Sequence, residues 1–454
     1  INDFIKARCE RDEVRDAGII NLNNYAETVL ENEAYAKSIF PFDNIKTNRK
    51  LTEYDCVQAP CTETCAIAQD VSEYMWHTSQ GNFREALNII LQDNPLPNIA
   101  GNVCDHLCQT KCTRMNYDDT LLIRGIKRFN SEEANVDMAT AVKAKNGFKV
   151  AIIGAGPSGL SSAYFLALEG FDVTVYESKP FAGGMASDSI PFFRLTDEQI
   201  NADVHLIKSL GVKFHFNQKV NSELFNKIRE DCNYVHLAVG AQGSKQLNIQ
   251  GEEFGGVLDQ LTFLSKVRRK EETILGHEVA IIGGGNSAVD AARTANRLVG
   301  TDGNVTVIYR RTVKEMPADK EEIDALLAEG INLLELTAPQ KIDKANDKLE
   351  FHLIKMALGE PDESGRRRPI EIPNSEFTMS FDSIIPAIGQ EVQLDFLDSG
   401  KLNYNEITFE TELENVFAGG DAIRGADSLI NAIGDGKKIA LEIIKRTNSS
   451  VNNI

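Results

Sequence analysis

Two segments constrain this chain more than any others: FKVAIIGAGPSGLSSAYFLALEG and HEVAIIGGGNSAVDAARTANRL. Each is a short apolar strand, a glycine turn and a helix, the unit of a parallel α/β sheet. Gly154, Gly156 and Gly159 fit the pattern GxGxxG, and Gly283, Gly285 and Ala288 fit GxGxxA. In such a turn the first glycine allows a tight bend and the second lets backbone approach a pyrophosphate. The third small residue lets helix and strand pack closely. Pro157, Ser158, Asn286 and Ser287 open the two helices, whose unpaired N–H groups face the phosphates. The two units predict two nucleotide-binding domains.

The next strand of each unit separates them chemically. DVTVYE ends in Glu177, 23 residues after Gly154, where an acid binds ribose hydroxyls. NVTVIYRR ends in Arg310 and Arg311, with Arg310 27 residues after Gly283. Guanidinium groups there pair with a 2′-phosphate, which points to NADPH over NADH.

Cysteine is the third signal. Six of the eight fall in two groups, Cys56-x4-Cys61-x3-Cys65 and Cys104-x3-Cys108-x3-Cys112. Thiols grouped in this way ligate Fe–S clusters or zinc. A disulfide-reductase pair is a poorer reading, because Cys56 and Cys61 precede the first glycine turn. Between the groups, Val71, Tyr74, Met75, Ala86, Leu87 and Ile90 recur at helical spacing and should pack together. Cys232 reads as a small core residue and Cys9 as a bystander. The seven histidines form no ligand-spaced pair, which argues against a metallohydrolase.

Charge and hydropathy narrow the class further. Lys and Arg total 48 against 67 Asp and Glu, a net charge of −19, which disfavours nucleic acid. Arg366-Arg367-Arg368 follows three acids and reads as a charged turn. No apolar run is long enough for a membrane span, and no signal peptide is evident, so a cytoplasmic location is expected. The chain starts with Ile, which reads as a processed or partial product.

The late segment ENVFAGGDA, with Gly420 and Asp421, sharpens the picture. Together with Glu177 and Gly183-Gly184 it resembles the flavoproteins with two dinucleotide-binding domains. That resemblance implies FAD at the first glycine turn, with Asp421 at its ribityl–phosphate part. LAVGA, with Ala241, and IPAIGQ, with Gly389, match the strand–turn elements where those proteins cross between domains. Asp427 and Ser428 could cap the helix LINAIGDGKKIALEIIK, whose N-terminus would face the flavin. The loop IPFFRL corresponds to the flavin-adjacent loop, where Arg194 either stabilises reduced flavin or pairs with Asp197. Glu315-Met316-Pro317 either lines the nicotinamide cleft or starts a helix.

The cysteine region with NPLPNIAGNVC resembles the Fe–S domain of the glutamate synthase small subunit and of dihydropyrimidine dehydrogenase. The resemblance implies one [4Fe–4S] cluster on Cys56, Cys61 and Cys112 and another on Cys65, Cys104 and Cys108. Both fourth ligands depart from the family: Glu53 replaces a cysteine, and Lys127 falls where a Gln or Glu ligates. Asp55, Glu53, Asp105 or His106 could substitute, so one or two clusters are expected. LTEYDCVQAPCTETCAIAQDVSEY, IAGNVCDHLCQTKCTRMNYD, YRRTVKEMPA and LGEPDESGRRRP are similar to the central part of the selenate reductase-type Fe–S flavoprotein subunit of anaerobic purine catabolism. Longer members of that family add a dihydroorotate-dehydrogenase-like barrel before this region and a ferredoxin-like segment after it.

The expected organisation is a helical linker or docking segment (1–50), a helical Fe–S domain (51–146), an FAD domain (147–270 and 385–454) and an inserted NADPH domain (271–384). The expected activity is hydride transfer from NADPH to FAD, then single electrons through the clusters to a partner domain or subunit of a larger assembly. The cofactors carry the chemistry, so no side-chain nucleophile is called for. Two rivals stand: a glutamate synthase small subunit, and a flavoprotein with a zinc-held interaction domain.

Overall fold

The computed structural model describes residues 12–31, 58–134, 141–362, 365–397 and 402–451. Cys56, Glu53 and Asp55 lie outside the described residues, as do Cys9 and most of the expected linker. Within that linker, residues Asp12–Glu31 form a helix.

The first glycine unit builds a five-stranded parallel sheet. Its strands are β1 (Lys149–Ile153), β2 (Asp172–Tyr176), β3 (Lys213–His215), β4 (Tyr234–Leu237) and a late strand, β15 (Val416–Ala418). Their order is β15-β4-β1-β2-β3. β1 is a nearly continuous apolar run with four of its five residues buried, as a central parallel strand requires. Both faces are covered. Leu160, Tyr164, Ile207, Ile439 and Ile443 pack on one, and Phe225, Ile228, Leu394 and Phe396 on the other. Full burial of one such aliphatic side chain contributes about 1.5–3 kcal/mol.

The second unit is a four-stranded parallel sheet in the order β13-β6-β7-β8. These strands are β6 (Glu278–Ile282), β7 (Asn304–Ile308), β8 (Asn332–Leu334) and β13 (Ser383–Pro386). One face carries the helices Gln260–Arg268 and Asn286–Val299 through Phe263, Leu264, Val289 and Ala292. The other is covered by an antiparallel sheet of β9 (Thr337–Ala345), β10 (Lys348–Pro361), β11 (Arg367–Glu371) and β12 (Phe377–Phe381), through Ile342, Leu349, Phe351 and Phe381. A small ribbon of β5 (Gly243–Ser244) and β14 (Gln390–Glu391) links the two crossings between units.

The boundaries expected at 270/271 and 384/385 both move. Helix Gln260–Arg268 packs in the second unit's core, and β13 pairs with β6 across residues 383–386, so a cut before Ile385 would split a strand. The expected Fe–S domain also shares its core with the first unit. Ile67, Leu96, Ile99, Val103 and Cys104 belong to the same cluster as Leu160 and Tyr164.

That shared core is locked by polar contacts. Asp203 accepts from the Ile99 N–H (2.8 Å) and from the Asn98 side chain (2.8 Å), capping the helix Pro97–Val103 that ends at Cys104. Lys437 pairs with Asp93 (2.6 Å), and the Tyr164 hydroxyl donates to the Leu91 carbonyl (3.1 Å). The helical stretch expected after Cys65 is two helices, Val71–Ser79 and Phe83–Asp93, broken at Gly81 with φ +74°. Val71, Tyr74, Ala86 and Ile90 do pack together with Met75 against them, while Leu87 turns to a separate cluster.

Candidate functional site

Both glycine turns open into one cavity of about 1270 Å³, above the ~300–1,000 Å³ of ordinary ligand pockets. Gly154, Gly156, Pro157, Ser158, Glu177, Gly184, Gly420, Asp421 and Ser428 line its first half. Gly283, Gly285, Asn286, Ser287, Arg310 and Arg311 line the second, and Arg194 and Gly389 also reach the wall.

The backbone explains the first half. β1 delivers the chain to Gly154, whose φ of +109° leaves a Cβ only 2.3 Å from the Ala238 carbonyl oxygen, so a side chain does not fit. Gly156 caps helix Pro157–Leu168, with Pro157 at its first position. Gly159 stays off the wall: a Cβ there would lie 2.0 Å from the Gly154 carbonyl oxygen, so its role is close packing of turn and helix. Gly184 (φ +58°) comes so near Gly156 that a Cβ would lie 2.7 Å from its Cα. A floor of bare backbone and a helix N-terminus fit a pyrophosphate.

Glu177 is buried, and its carboxylate accepts from the Ala155 N–H and the Lys179 N–H, both at 2.8 Å. His236, fully buried, lies 2.7 Å from the Ser162 hydroxyl and 3.4 Å from that of Ser158. Burial pushes its imidazole down to about 3, so it stays neutral beneath the turn. Asp421 follows Gly420 beside Ser158, and burial, with Asp427 and Asp435 nearby, pushes its carboxyl up to about 7. Ser428 caps the last helix by accepting from the Asn431 N–H (3.3 Å).

The second half repeats the scheme. Gly283, at φ +144°, would bring a Cβ 2.3 Å from the Ala387 carbonyl oxygen, and Gly285 caps helix Asn286–Val299. Ala288 is buried and off the wall, packing the helix. The two arginines part company. Arg310 is exposed on the wall. Arg311 is 5% exposed, its Nε bonded to the Arg367 carbonyl (2.7 Å) and its terminal nitrogen to Asp362 (2.7 Å).

Arg194 does not pair with Asp197, which bonds Arg268 (2.7 Å). It crosses the junction to Asp290 (2.8 and 2.9 Å) and Glu322 (2.9 Å), and neighbouring Phe193 lies under Arg293 and Arg297. Gly183 and Ala241 are off the wall, their neighbours Gly184 and Gly240 on it. Glu315 caps a short turn with Thr312 (3.1 Å to its N–H), whereas Pro317 lines the cavity. Sequence reading missed Tyr309, Asp290, Arg366 and Val103, all on the wall, where Asp105, named as a candidate cluster ligand, also lies. Of the missed residues only Val103 carried a signal, as the neighbour of Cys104.

Cys61, Cys65, Cys104, Cys108 and Cys112 belong to the segment that reaches this cavity through Val103 and Asp105, and all are free thiols. Burial raises the Cys61 thiol, with Cys112 adding to the effect, and raises Cys104, with Cys65 adding. Cys108 is pushed up to about 12, chiefly by burial and then by Cys104. Cys61 thus has Cys112 near it and Cys104 has Cys65, while Cys108 faces Cys104, Cys65 and Cys61 alike. Lys127 is 7% exposed, and its charge favours ionisation of Cys104 and Cys108.

His106, within the Cys104–Cys108 loop, reaches Asp319 (2.7 Å), and Arg124 bonds Glu321 and the Cys104 carbonyl (2.9 Å). His106, Asp319 and Glu321 lie within 4.8 Å of one another. Arg124 supplies their counter-charge, so the cluster reads as a tie between the thiol segment and the second unit. Among the described residues, no helix is long and apolar enough to cross a membrane.

Comparison with known proteins agrees with this geometry. A family model for pyridine nucleotide-disulphide oxidoreductases matches residues 148–436, and one for dihydropyrimidine dehydrogenase domain II, 4Fe–4S cluster, matches residues 46–138. The NADP(+)-dependent formate dehydrogenase subunit beta of Moorella thermoacetica is 36% identical over 87% of this chain and 60% of its own length. The NADPH-Fe(3+) oxidoreductase subunit beta of Geobacter sulfurreducens is 35% identical over 86% of this chain and 64% of its own. The glutamate synthase [NADPH] small chain of Escherichia coli is 30% identical over 85% and 88% respectively. Seven of the curated relatives are spanned over only 42% to 66% of their length. Among solved structures, Mycobacterium tuberculosis FprA in complex with NADPH shares the fold, with a TM-score of 0.56, 16% identity, and coverage of 67% of this chain and 86% of that one. The chain belongs to the pyridine nucleotide-disulphide oxidoreductase family.

Proposed function

We propose that this chain is the electron-input module of an NADPH-dependent FAD and iron–sulfur oxidoreductase. One observation carries the reading: the cavity that both glycine turns enter is also lined by Val103 and Asp105, the neighbours of Cys104. Nucleotide, flavin and thiol segment thus meet at one place. When bound, NADPH supplies a hydride, FAD accepts it as a two-electron carrier, and Fe–S clusters pass electrons singly.

The residues present fit these groups. The bare floor of Gly154, Gly156, Gly184 and Gly420 suits FAD, with Glu177 at its ribose and Asp421 and Ser428 farther along. Gly283, Gly285, Asn286 and Ser287 would receive the NADPH phosphates. Cys65, Cys104 and Cys108 would hold one cluster, and Cys61 and Cys112, with Cys56, would hold the other. Zn–S bonds of ~2.3 Å place tetrahedral thiolates ~3.8 Å apart. Among the described residues no three thiols lie within 4.8 Å of one another, which favours a cluster over a single zinc ion.

Within the family we read the chain as the selenate reductase-type subunit, delivering electrons to a barrel-like, ferredoxin-like or other reductase partner in the cytoplasm. The four sequence segments quoted for that resemblance, and the three-plus-three cysteine pattern without the fourth ligands, support it over a glutamate synthase small subunit. Co-purification with a glutaminase subunit would reverse that order. The decisive experiment is anaerobic purification with iron, sulfide, zinc and flavin analysis, followed by stopped-flow reduction with NADPH and EPR. Bleaching of flavin followed by reduced-cluster signals is expected. Zinc without iron or acid-labile sulfide would sink the electron-transfer reading.

A further inference from the structure

The run Arg366-Arg367-Arg368 sits where β10 turns into β11, a hairpin inserted between β8 and β13 of the second unit. The structure brings this hairpin to the cavity: Arg366 lines the wall in company with Tyr309, Arg310 and Arg311. Arg311 holds the hairpin from the strand side. Its Nε grips the Arg367 carbonyl and its terminal nitrogen grips Asp362. Asp362 in turn donates its N–H to the Arg366 carbonyl (2.8 Å) and accepts the Arg366 N–H (3.3 Å). Arg366 is therefore bracketed by two residues that Arg311 anchors.

We propose that the 2′-phosphate of NADPH is recognised by Arg310 and Arg366, contributed by strand and hairpin, with Arg311 as the positioning residue that holds the hairpin in place. This rests on the reading of the second glycine turn as the NADPH site. A phosphate monoester presents several acceptor oxygens, and two guanidinium forks from different elements can bind separate oxygens. Arg311 is 5% exposed and two of its five N–H donors already hold Arg367 and Asp362, which suits it to positioning the hairpin. The consecutive arginines at the end of β7 thus split their roles, and the second phosphate ligand comes from about fifty-five residues downstream.

The test compares holoenzyme flavin reduction by NADPH and NADH, and binding of adenosine 2′,5′-bisphosphate against ADP. Arg310→Ala and Arg366→Ala should each lower kcat/KM for NADPH by about 10- to 100-fold, mainly through KM, and leave NADH within about twofold. Arg366→Lys should recover part of the preference. Arg311→Ala should reduce the NADPH preference while leaving flavin content intact. If the wild-type protein itself shows no preference for NADPH or for the bisphosphate, the nucleotide reading fails and this inference with it. If the wild type prefers NADPH and Arg366→Ala and Arg366→Gln keep that preference with full flavin content, the assignment of Arg366 is wrong and the site reading stands.

Discussion

In the first dinucleotide unit Gly154 turns beneath the Ala238 carbonyl, and in the second Gly283 turns beneath the Ala387 carbonyl, each leaving 2.3 Å where a Cβ would need room. Each turn then starts a helix capped by a glycine. From there the two diverge. After β2, Glu177 folds back onto the Ala155 and Lys179 N–H groups and closes the first turn around itself. After β7, Arg311 reaches away to the inserted hairpin and Arg310 stays on the wall. The first unit is backed by the thiol segment, the second by an antiparallel sheet. A shared turn therefore specifies a dinucleotide, whereas the end of the following strand and the inserted neighbour specify which one.

The sharpest way to break the comparison is to damage each turn separately. A non-glycine residue in such a strained conformation costs about 1–3 kcal/mol before any clash. Gly154→Ala adds collision with backbone, so the purified protein should lack yellow flavin absorbance and resist reconstitution with FAD. Gly283→Ala should retain its flavin, bleach normally with dithionite and lose NADPH-driven bleaching by at least ~100-fold. If Gly283→Ala loses flavin as readily as Gly154→Ala, the two turns do not serve separate ligands.

The junction between the units offers the next effect. Arg194 leaves the first unit to neutralise Asp290 and Glu322 of the second. Removing one partner of a buried pair typically costs ~3–5 kcal/mol because a charge is stranded. Arg194→Met should lower the midpoint of thermal unfolding by several degrees and slow flavin reduction by NADPH, with dithionite reduction unchanged. A double variant that also carries Asp290→Asn should recover part of the stability. A merely local surface role for Arg194 would leave both readouts near wild type.

Glu177→Gln probes the first unit more gently. The amide keeps one acceptor oxygen but loses the charge that strengthens both N–H contacts, so FAD affinity should fall about tenfold by equilibrium titration. The NADPH/NADH ratio should not move, because the acid belongs to the other half of the cavity.

These contrasts were unequally visible in the amino-acid sequence. Gly154, Gly283 and the apolar strands before them carry a local signal, since turn, strand and helix occur within one short run. The cysteine groups were legible for the same reason, and the described members of both lie close together. Arg366 and Asp290 were not, because each reaches the cavity through a contact between distant segments that no periodicity records. Arg311 is an intermediate case. Its position in the chain matches a phosphate ligand and it lines the cavity, yet it also bonds Asp362, 51 residues away, which no local pattern records. Boundaries slipped where the second unit takes β13 and helix Gln260–Arg268 from stretches that read as the first unit's.

The smallest expected effect concerns pH and separates the two halves once more. Asp421 stands beside the Ser158 end of the first helix, and burial lifts its carboxyl to about 7, with Asp427 and Asp435 raising it and the Asp427 N–H and Arg424 opposing. The folded-state value lies above the ordinary carboxylate range, so this group's contribution to stability is present at low pH and is lost as pH rises through about 7. Below that point the protonated carboxyl can donate to a phosphate oxygen, and above it a carboxylate repels the same phosphate. FAD affinity should therefore fall a few-fold between pH 6 and pH 8 (on the order of 0.5–1 kcal/mol). Asp421→Asn should abolish this dependence. NADPH affinity in the flavin-loaded protein should not share the Asp421 step, since Asp421 lies in the other half of the cavity. A pH profile common to both ligands would show that the two halves titrate as one site.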